Sequence, residues 1–215
     1  MSSTVKFPLT NLELAEAGGD KGPVFFPASF AEYWELLAEA EYRVDYYDHQ
    51  IIASMSYESD LHSHFATRLT TLLGIIYDEK PGYRVYNSNR PVFIEGCKGG
   101  GDSGVFNADG MVIALPPALY EYRPGMNAET APVMLFEVLS ETTRKYDFGI
   151  KLPCYKQIPS LKQILFVEQN APGVIVFERE APNRWLETAL KTADDFFTLE
   201  GHAVTLRQIY REVYF

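Results

Sequence analysis

One stretch, MLFEVLSETTRKYDFGIKLPCY at residues 134–155, restricts the possible folds of this chain more than any other. Its first half is apolar without alternation, as in a strand covered on both faces. In the middle of that run stands one acid, Glu137. A buried carboxylate is costly unless it is paired, hydrogen-bonded or bound to a cation. The polar turn SETT follows, and a helix is expected over residues 143–157. There Asp147, Lys151 and Tyr155 recur every four residues, which places them on one helical face. The short turn lets this face pack beside the strand end that carries the acid. Asp147 and Lys151 also fit an ordinary surface pair at i, i+4. Pro153 lacks a backbone donor, so a kink is expected just past Lys151 unless the helix begins near Phe148 or Gly149.

A second acid, Asp109, precedes the apolar run GMVIAL. Two acids in two otherwise apolar strands suggest convergence on a divalent cation. Mg²⁺ suits such a site, because it takes one or two carboxylates and keeps several waters. The alternative for each acid is a solvated strand end. With a cation between them, Lys151 would orient a water or stabilise charge building on a phosphate.

The remaining chain reads as alternating helices and strands. Residues 1–26 form an arm broken by Gly and Pro, with part of it expected to be disordered; residues 27–215 follow as one domain. Ser29 with Glu32 is a capping box for a first helix. YRVDYYDHQIIASM reads as two short strands about Asp48, His49 and Gln50. In HSHFATRLTTLLGIIYDE, the residues His62, Phe65, Leu69, Leu72 and Ile76 form a helical stripe. His62 therefore reads as a packed core histidine as readily as a catalytic one. His62 and His64 lie on different faces and make a poor metal pair. YRVYNSNRPVFIE, FNADGMVIAL, APVMLFEVLS and LKQILFVEQ read as strands, GVIVFERE with RWLETAL as a hairpin, and LRQIYREVYF as a closing helix. GCKGGGDSG is a flexible loop, without the Lys-Ser/Thr ending of a phosphate loop. The class is an α/β (α+β) mixture with a central mixed β-sheet flanked by helices.

The net charge of −10 opposes a simple nucleic-acid coat, but the distribution is uneven. Residues 1–60 hold eleven acids and three bases; residues 140–163 hold five bases and two acids. No apolar run is long enough to span a membrane, and no secretory signal is read. The two cysteines, Cys97 and Cys154, are expected as reduced thiols in the cytoplasm and are too few for a zinc cluster.

Asp109, then Glu137 within EVLSETT, then Asp147, Lys151 and Tyr155, resembles the Uma-two family of bacterial restriction-endonuclease-like proteins, within the PD-(D/E)XK nuclease superfamily. RVDYYDHQII resembles the family's acidic hairpin, with Asp45 in the position of its glutamate, and His62 matches a histidine that opens its long helix. The likeness covers roughly residues 27–190. Ala108 stands where the family has proline, Leu139 where the superfamily has lysine, and GCKGGGDSG resembles an insertion. The resemblance makes Lys151 the helix-borne substitute for that lysine.

The resemblance implies a restriction-endonuclease-like fold and an endodeoxyribonuclease that hydrolyses DNA with Mg²⁺ or Mn²⁺. Asp109 and Glu137 would hold the metal and Lys151 would complete the catalytic set. Asp45, His62, Asp147 and Tyr155 would support them, and Arg144 and Lys145 would contact phosphates. A homodimer is a further expectation, since many nucleases of the superfamily pair to cut duplexes. Two rival readings stand beside this one. The first is a catalytically decayed protein of the same fold acting as a binding or assembly module; the second is an enzyme acting on a small phosphate ester in a closed pocket.

Overall fold

A computed structural model of the protein describes residues 7–88, 90–97 and 103–215. The disorder expected within the arm falls partly on residues 1–6, and the flexible loop expected at 96–104 falls largely on 98–102; both segments lie outside the described residues.

The strands are β1 (Val24–Pro27), β2 (Arg43–Tyr47), β3 (Gln50–Ser54), β4 (Tyr83–Asn87), β5 (Pro91–Ile94), β6 (Gly104–Asn107), β7 (Gly110–Ala114), β8 (Leu119–Arg123), β9 (Met126–Glu129), β10 (Pro132–Leu139), β11 (Gln163–Glu168), β12 (Val174–Ala181), β13 (Arg184–Leu190), β14 (Phe196–Leu199) and β15 (His202–Thr205). They make a seven-stranded sheet, ordered β1-β3-β2-β6-β5-β9-β8, and a six-stranded sheet, ordered β13-β12-β11-β10-β7-β4. β14 and β15 pair by themselves. Both large sheets are mixed, through the parallel pairs β5–β9 and β10–β11. The helices are α1 (Asn11–Glu16), α2 (Phe30–Leu37), α3 (Asp60–Asp78), α4 (Arg144–Tyr146), α5 (Leu152–Tyr155) and α6 (Leu206–Ile209). The α+β class with helices flanking mixed sheet is therefore as expected, but the sheet is divided in two.

The division falls within FNADGMVIAL, which reads as one strand and is two. β6 pairs with β2 and β5 in the larger sheet, while β7 pairs with β4 and β10 in the smaller one. Ala108 and Asp109 form the step between them. Gly110 permits it: a Cβ there would overlap the Phe136 ring on β10.

Alternation along β10 assigns its residues to two cores. Phe136 and Val138 face α3, where Phe65, Leu69 and Leu73 bury one helical stripe. Burial of each such side chain contributes about 1.5–3 kcal/mol. The stripe is rotated slightly from the expected one, so Leu73 and Tyr77 are buried and Leu72 and Ile76 are only partly so. Leu135 and Leu139 face the opposite side, against Phe106, Tyr155 and Phe166. Glu137 shares that second side by its parity. A third core packs α2 on the larger sheet through Tyr33, Trp34 and Tyr46. Ser29 caps α2 with the expected Glu32 box. Asp48 and His49 make the tight turn between β2 and β3, both at positive φ, as the right-handed strand twist demands of a two-residue hairpin loop.

Three expectations need correction. Cys97 and Cys154 are not free thiols but a disulfide with 5.0 Å between Cα atoms; fifty-seven residues apart in sequence, they meet only because α5 packs beside the end of β5. Pro153 does not lie in the interior of a regular α-helix but at the start of α5. A π-helical turn over Asp147–Lys151 joins α4 to α5, and the Leu152 N–H donates to the Asp147 carbonyl five residues back. This wider turn relieves the clash of the proline ring with the preceding turn. The closing helix is only the four residues of α6.

Candidate active site

Glu137 enters the space between the sheets from β10, and the α4–α5 segment lies across it. Lys151 Nζ donates to Glu137 Oε1 at 3.0 Å and to the Asn107 carbonyl at 3.0 Å. Tyr155 Oη donates to the same Glu137 oxygen at 2.6 Å. Asp147 lies 3.7 Å and Asp45 4.0 Å from Lys151 Nζ. The four-residue spacing read from sequence thus brings an acid, a lysine and a phenol to one strand carboxylate. Lys151 is 5% exposed and Glu137 2%, so this is no surface pair.

Asp109 closes the opposite side of the same centre. The backbone step that separates β6 from β7 aims its carboxylate back over β10, where Oδ2 accepts the Val138 N–H at 2.7 Å. His62, in the first turn of α3, brings Nε2 to 3.1 Å from the same oxygen. Arg43 donates to Oδ1 at 2.9 Å. Arg43 also reaches Glu58 at 2.8 Å, and His62 Nδ1 lies 3.0 Å from the other Glu58 oxygen. Arg43 and His62 therefore each bridge Asp109 to Glu58. Two residues beyond Arg43 on β2, Asp45 accepts from the Asn107 backbone and side-chain amides and from Tyr146 Oη.

These groups line a cavity of about 430 Å³. Six carboxylates (Asp20, Asp45, Glu58, Asp109, Glu137, Asp147) face three cations (Arg43, His62, Lys151). Burial pushes Asp109 up, but the hydrogen bond and charge of His62, with Arg43 and Lys151, outweigh it and hold the group below its ordinary range. Glu137 goes the other way. Burial and the nearby Asp109 and Asp147 charges push it up to about 8 against the pull of Lys151. Burial alone would lower Lys151; the surrounding carboxylates reverse this and keep the ammonium protonated. With acids in surplus around it, Lys151 keeps its proton. His62 is desolvated, yet Asp109 and Glu58 raise it to about 10.

The donor set fits a divalent cation. Single donor atoms from Glu58, His62 and Asp109 lie within 4.8 Å of one another, and Glu137 borders the same space. Carboxylate oxygens with one imidazole are donors that can hold a divalent cation. A cation there would take the place of contacts that Asp109 now makes to Arg43 and His62.

Asp45, His62, Asp109, Glu137, Asp147, Lys151 and Tyr155, all singled out from sequence, thus meet in one cluster. Arg144 and Lys145 do not line the cavity. Arg144 lies at the surface with its guanidinium 2.7 Å from both Glu168 oxygens, and Lys145 is exposed. Arg43, Glu58, Asn107 and Tyr146 were not read from the sequence. Arg43 had a signal: two residues before Asp45 on a strand, it shares that acid's face. Glu58 had a weaker one in its four-residue spacing to His62. The positions of Asn107 and Tyr146 follow only from tertiary packing.

Comparison with known proteins bears on the family and the fold. A family profile described as "Putative restriction endonuclease", Uma2, matches residues 30–207. An uncharacterized protein of Synechocystis, sll1609, is 25% identical over 160 residues, covering 74% of this chain and 85% of the relative. The fold is shared with a crystal structure from Anabaena variabilis described as a putative nuclease belonging to DUF820: TM-score 0.59 at 14% identity, covering 81% of this chain and 96% of that one. With the profile spanning most of its length, this chain belongs to the Uma2 family of restriction-endonuclease-like proteins.

Proposed function

We propose that the protein hydrolyses phosphodiester bonds in DNA, with Mg²⁺ or Mn²⁺ held by Asp109 and Glu137 and assisted by Glu58 and His62. The observation that carries this reading is the Lys151–Glu137 contact at 3.0 Å, buried and facing the cavity that Asp109 also lines. A divalent cation at such carboxylates supplies a low-pKa water and polarises the phosphate. Lys151 keeps its proton and holds a positive charge where a phosphate's negative charge grows. Tyr155 and Lys151 fix the rotamer of Glu137, and Asp147 and Asp45 hold Lys151 in place. The Val138 N–H orients the Asp109 carboxylate. The Leu139 position, two residues after Glu137, needs no lysine because α4–α5 delivers one from the other side.

The test is cleavage of end-labelled DNA by the full chain, with and without Mg²⁺ or Mn²⁺, beside Asp109→Ala, Glu137→Ala and Lys151→Ala. Metal-dependent cleavage that falls at least a hundredfold in all three variants supports the reading. Cleavage unaffected by Lys151→Ala, or absent with either metal, removes it.

A second reading has its own observation. Both Asp109 oxygens are already engaged, by Arg43 on one side and by His62 and the Val138 N–H on the other. A protein that kept the fold as a binding or assembly module would show this closed network. Calorimetric titration with Mn²⁺ separates the two: no heat of binding, with DNA present, leaves the second reading.

A further inference from the structure

The cavity has two walls that lie apart from the catalytic cluster. Residues 19–23 of the N-terminal arm form one of them, through Gly19, Asp20, Gly22 and Pro23. This segment precedes the part of the chain that the family profile matches, which begins at residue 30. It is fixed in place. Tyr42 Oη donates to the Pro8 carbonyl, the Glu41 N–H donates to the Leu9 carbonyl, and a Cβ on Gly22 would stand 3.4 Å from the carbonyl oxygen of Thr142 in the turn after β10. The other wall is the loop from β3 to α3. It is tied to the arm by Ser56, which donates to Asn11 at 2.9 Å, and to the body of the protein by Ser59, which bonds Gln169 at 2.8 Å. Between these anchors Tyr57 lines the cavity while remaining 87% exposed. An aromatic ring held at a cavity mouth in water contributes little to folding.

We infer that this site takes an unpaired DNA strand, and that Tyr57 stacks on a base at its entrance. The inference rests on the phosphodiesterase reading above. Asp109 and Glu137 are each 2% exposed, so a phosphate must enter the cavity, which the arm and the 55–59 loop help to line, to reach them. A duplex holds its phosphates on the outside of a stiff rod and cannot turn a single nucleotide into a cavity of about 430 Å³ without breaking its pairing. A single strand can turn one nucleotide inward and leave the neighbouring base outside, where an exposed aromatic face is a sequence-tolerant platform. The surplus of acids in the cavity sets against this a repulsion of phosphate, which the bound cation relieves.

The test uses the full chain and three fluorescent probes: a single-stranded deoxyoligonucleotide of about 20 nucleotides, the same sequence as a blunt duplex, and that duplex with an unpaired tail. Binding is read with Ca²⁺ in place of Mg²⁺, and cleavage with Mg²⁺ or Mn²⁺. The expected result is binding and cleavage of the single strand and of the tail, at least tenfold above the blunt duplex. Tyr57→Ala should weaken single-strand binding about tenfold and Tyr57→Phe should restore it. Because Tyr57 is exposed, neither variant should move the urea midpoint. Equal cleavage of blunt duplex, or a Tyr57→Ala chain that binds as tightly as the parent, overturns the inference while the nuclease reading stands. Hydrolysis of p-nitrophenyl phosphate, a monoester, with no oligonucleotide bound or cleaved would overturn both in favour of a small phosphate ester. No binding or cleavage of any probe would overturn both as well.

Discussion

Arg43 donates to Asp109 at 2.9 Å across 66 positions of sequence, and so neutralises one of the two carboxylates proposed to hold a cation. The same guanidinium holds Glu58. Replacing Arg43 by glutamine frees an Asp109 oxygen and leaves a buried carboxylate less compensated. Metal-free stability should fall by about 2 kcal/mol, as expected on losing hydrogen bonds to a charged group. Affinity for Mn²⁺ should rise at the same time. Urea denaturation with and without Mn²⁺ checks both; a variant that binds the metal more weakly would make Arg43 part of the cation site instead.

Lys151 is the hub of the buried network, within 4.0 Å of Glu137, Asp147 and Asp45. Lys151→Met keeps the bulk of the side chain and removes its charge. Three acids would then share a buried space with no cation among them. The expected loss is roughly 3–5 kcal/mol at pH 8, shrinking as the pH falls and the carboxylates protonate. A loss that stays constant between pH 8 and pH 5 would mean that packing, not charge, sets the effect.

His62 is raised from 6.5 to about 10 by Asp109 and Glu58, whose effect exceeds that of burial. The folded state therefore binds this proton more tightly than the unfolded chain does. Its contribution to stability is full below pH 6.5 and is lost as the pH rises through about 10. The difference in urea midpoint between the native chain and His62→Gln should be largest at pH 6 and should narrow steadily toward pH 10. A gap that widens with pH would mean that His62 is neutral in the fold and acts only as an acceptor or a packing group.

The candidate site was legible in sequence where spacing alone decided it. Asp147, Lys151 and Tyr155 share a face because a helix repeats in under four residues, and the π turn at Asp147–Lys151 did not undo that arrangement. Glu137 was legible because an acid in an apolar strand needs a partner. Asp109 was singled out too, but not the reason it points inward: that lies in the break between β6 and β7, and a run of apolar residues does not announce a change of sheet. Arg43 and Glu58 were missed because their partners lie on other elements, so only the packed fold relates them. The β8–β9 hairpin, whose Leu119, Tyr120 and Tyr122 look like any loop with aromatic residues, was likewise not read. The disulfide fails for a related reason: two cysteines 57 residues apart carry no pairing signal until α5 lies against the end of β5.

That disulfide closes a loop that contains Asp109 and Glu137 and ends one residue before Tyr155. Restricting a loop of this length in the unfolded chain contributes at most about 4 kcal/mol. Dithiothreitol should lower the urea midpoint by a corresponding amount, and Cys97→Ser should reproduce the shift in the absence of reductant. An unchanged midpoint on reduction would show that the packing of Cys97 and Cys154 alone holds this contact.

Gly110 offers the sharpest link between packing and the site. It follows Asp109 directly and lies under Phe136, whose ring occupies the space a Cβ would need. Phe136 in turn is buried in the core that α3 covers. Gly110→Ala must push either the ring into that core or β7 away from β10. The expected cost is about 1–3 kcal/mol, the usual range for overpacking. Moving β7 would also carry Asp109 off the Val138 N–H, so cleavage should fall further than the stability loss accounts for. Phe136→Leu makes room for the added methyl. The double variant Gly110→Ala/Phe136→Leu should therefore be less destabilised than the sum of the two single changes, with a coupling that only neighbouring residues show. If the two effects simply add, the ring is not what excludes a side chain at residue 110, and the break between the sheets has another cause.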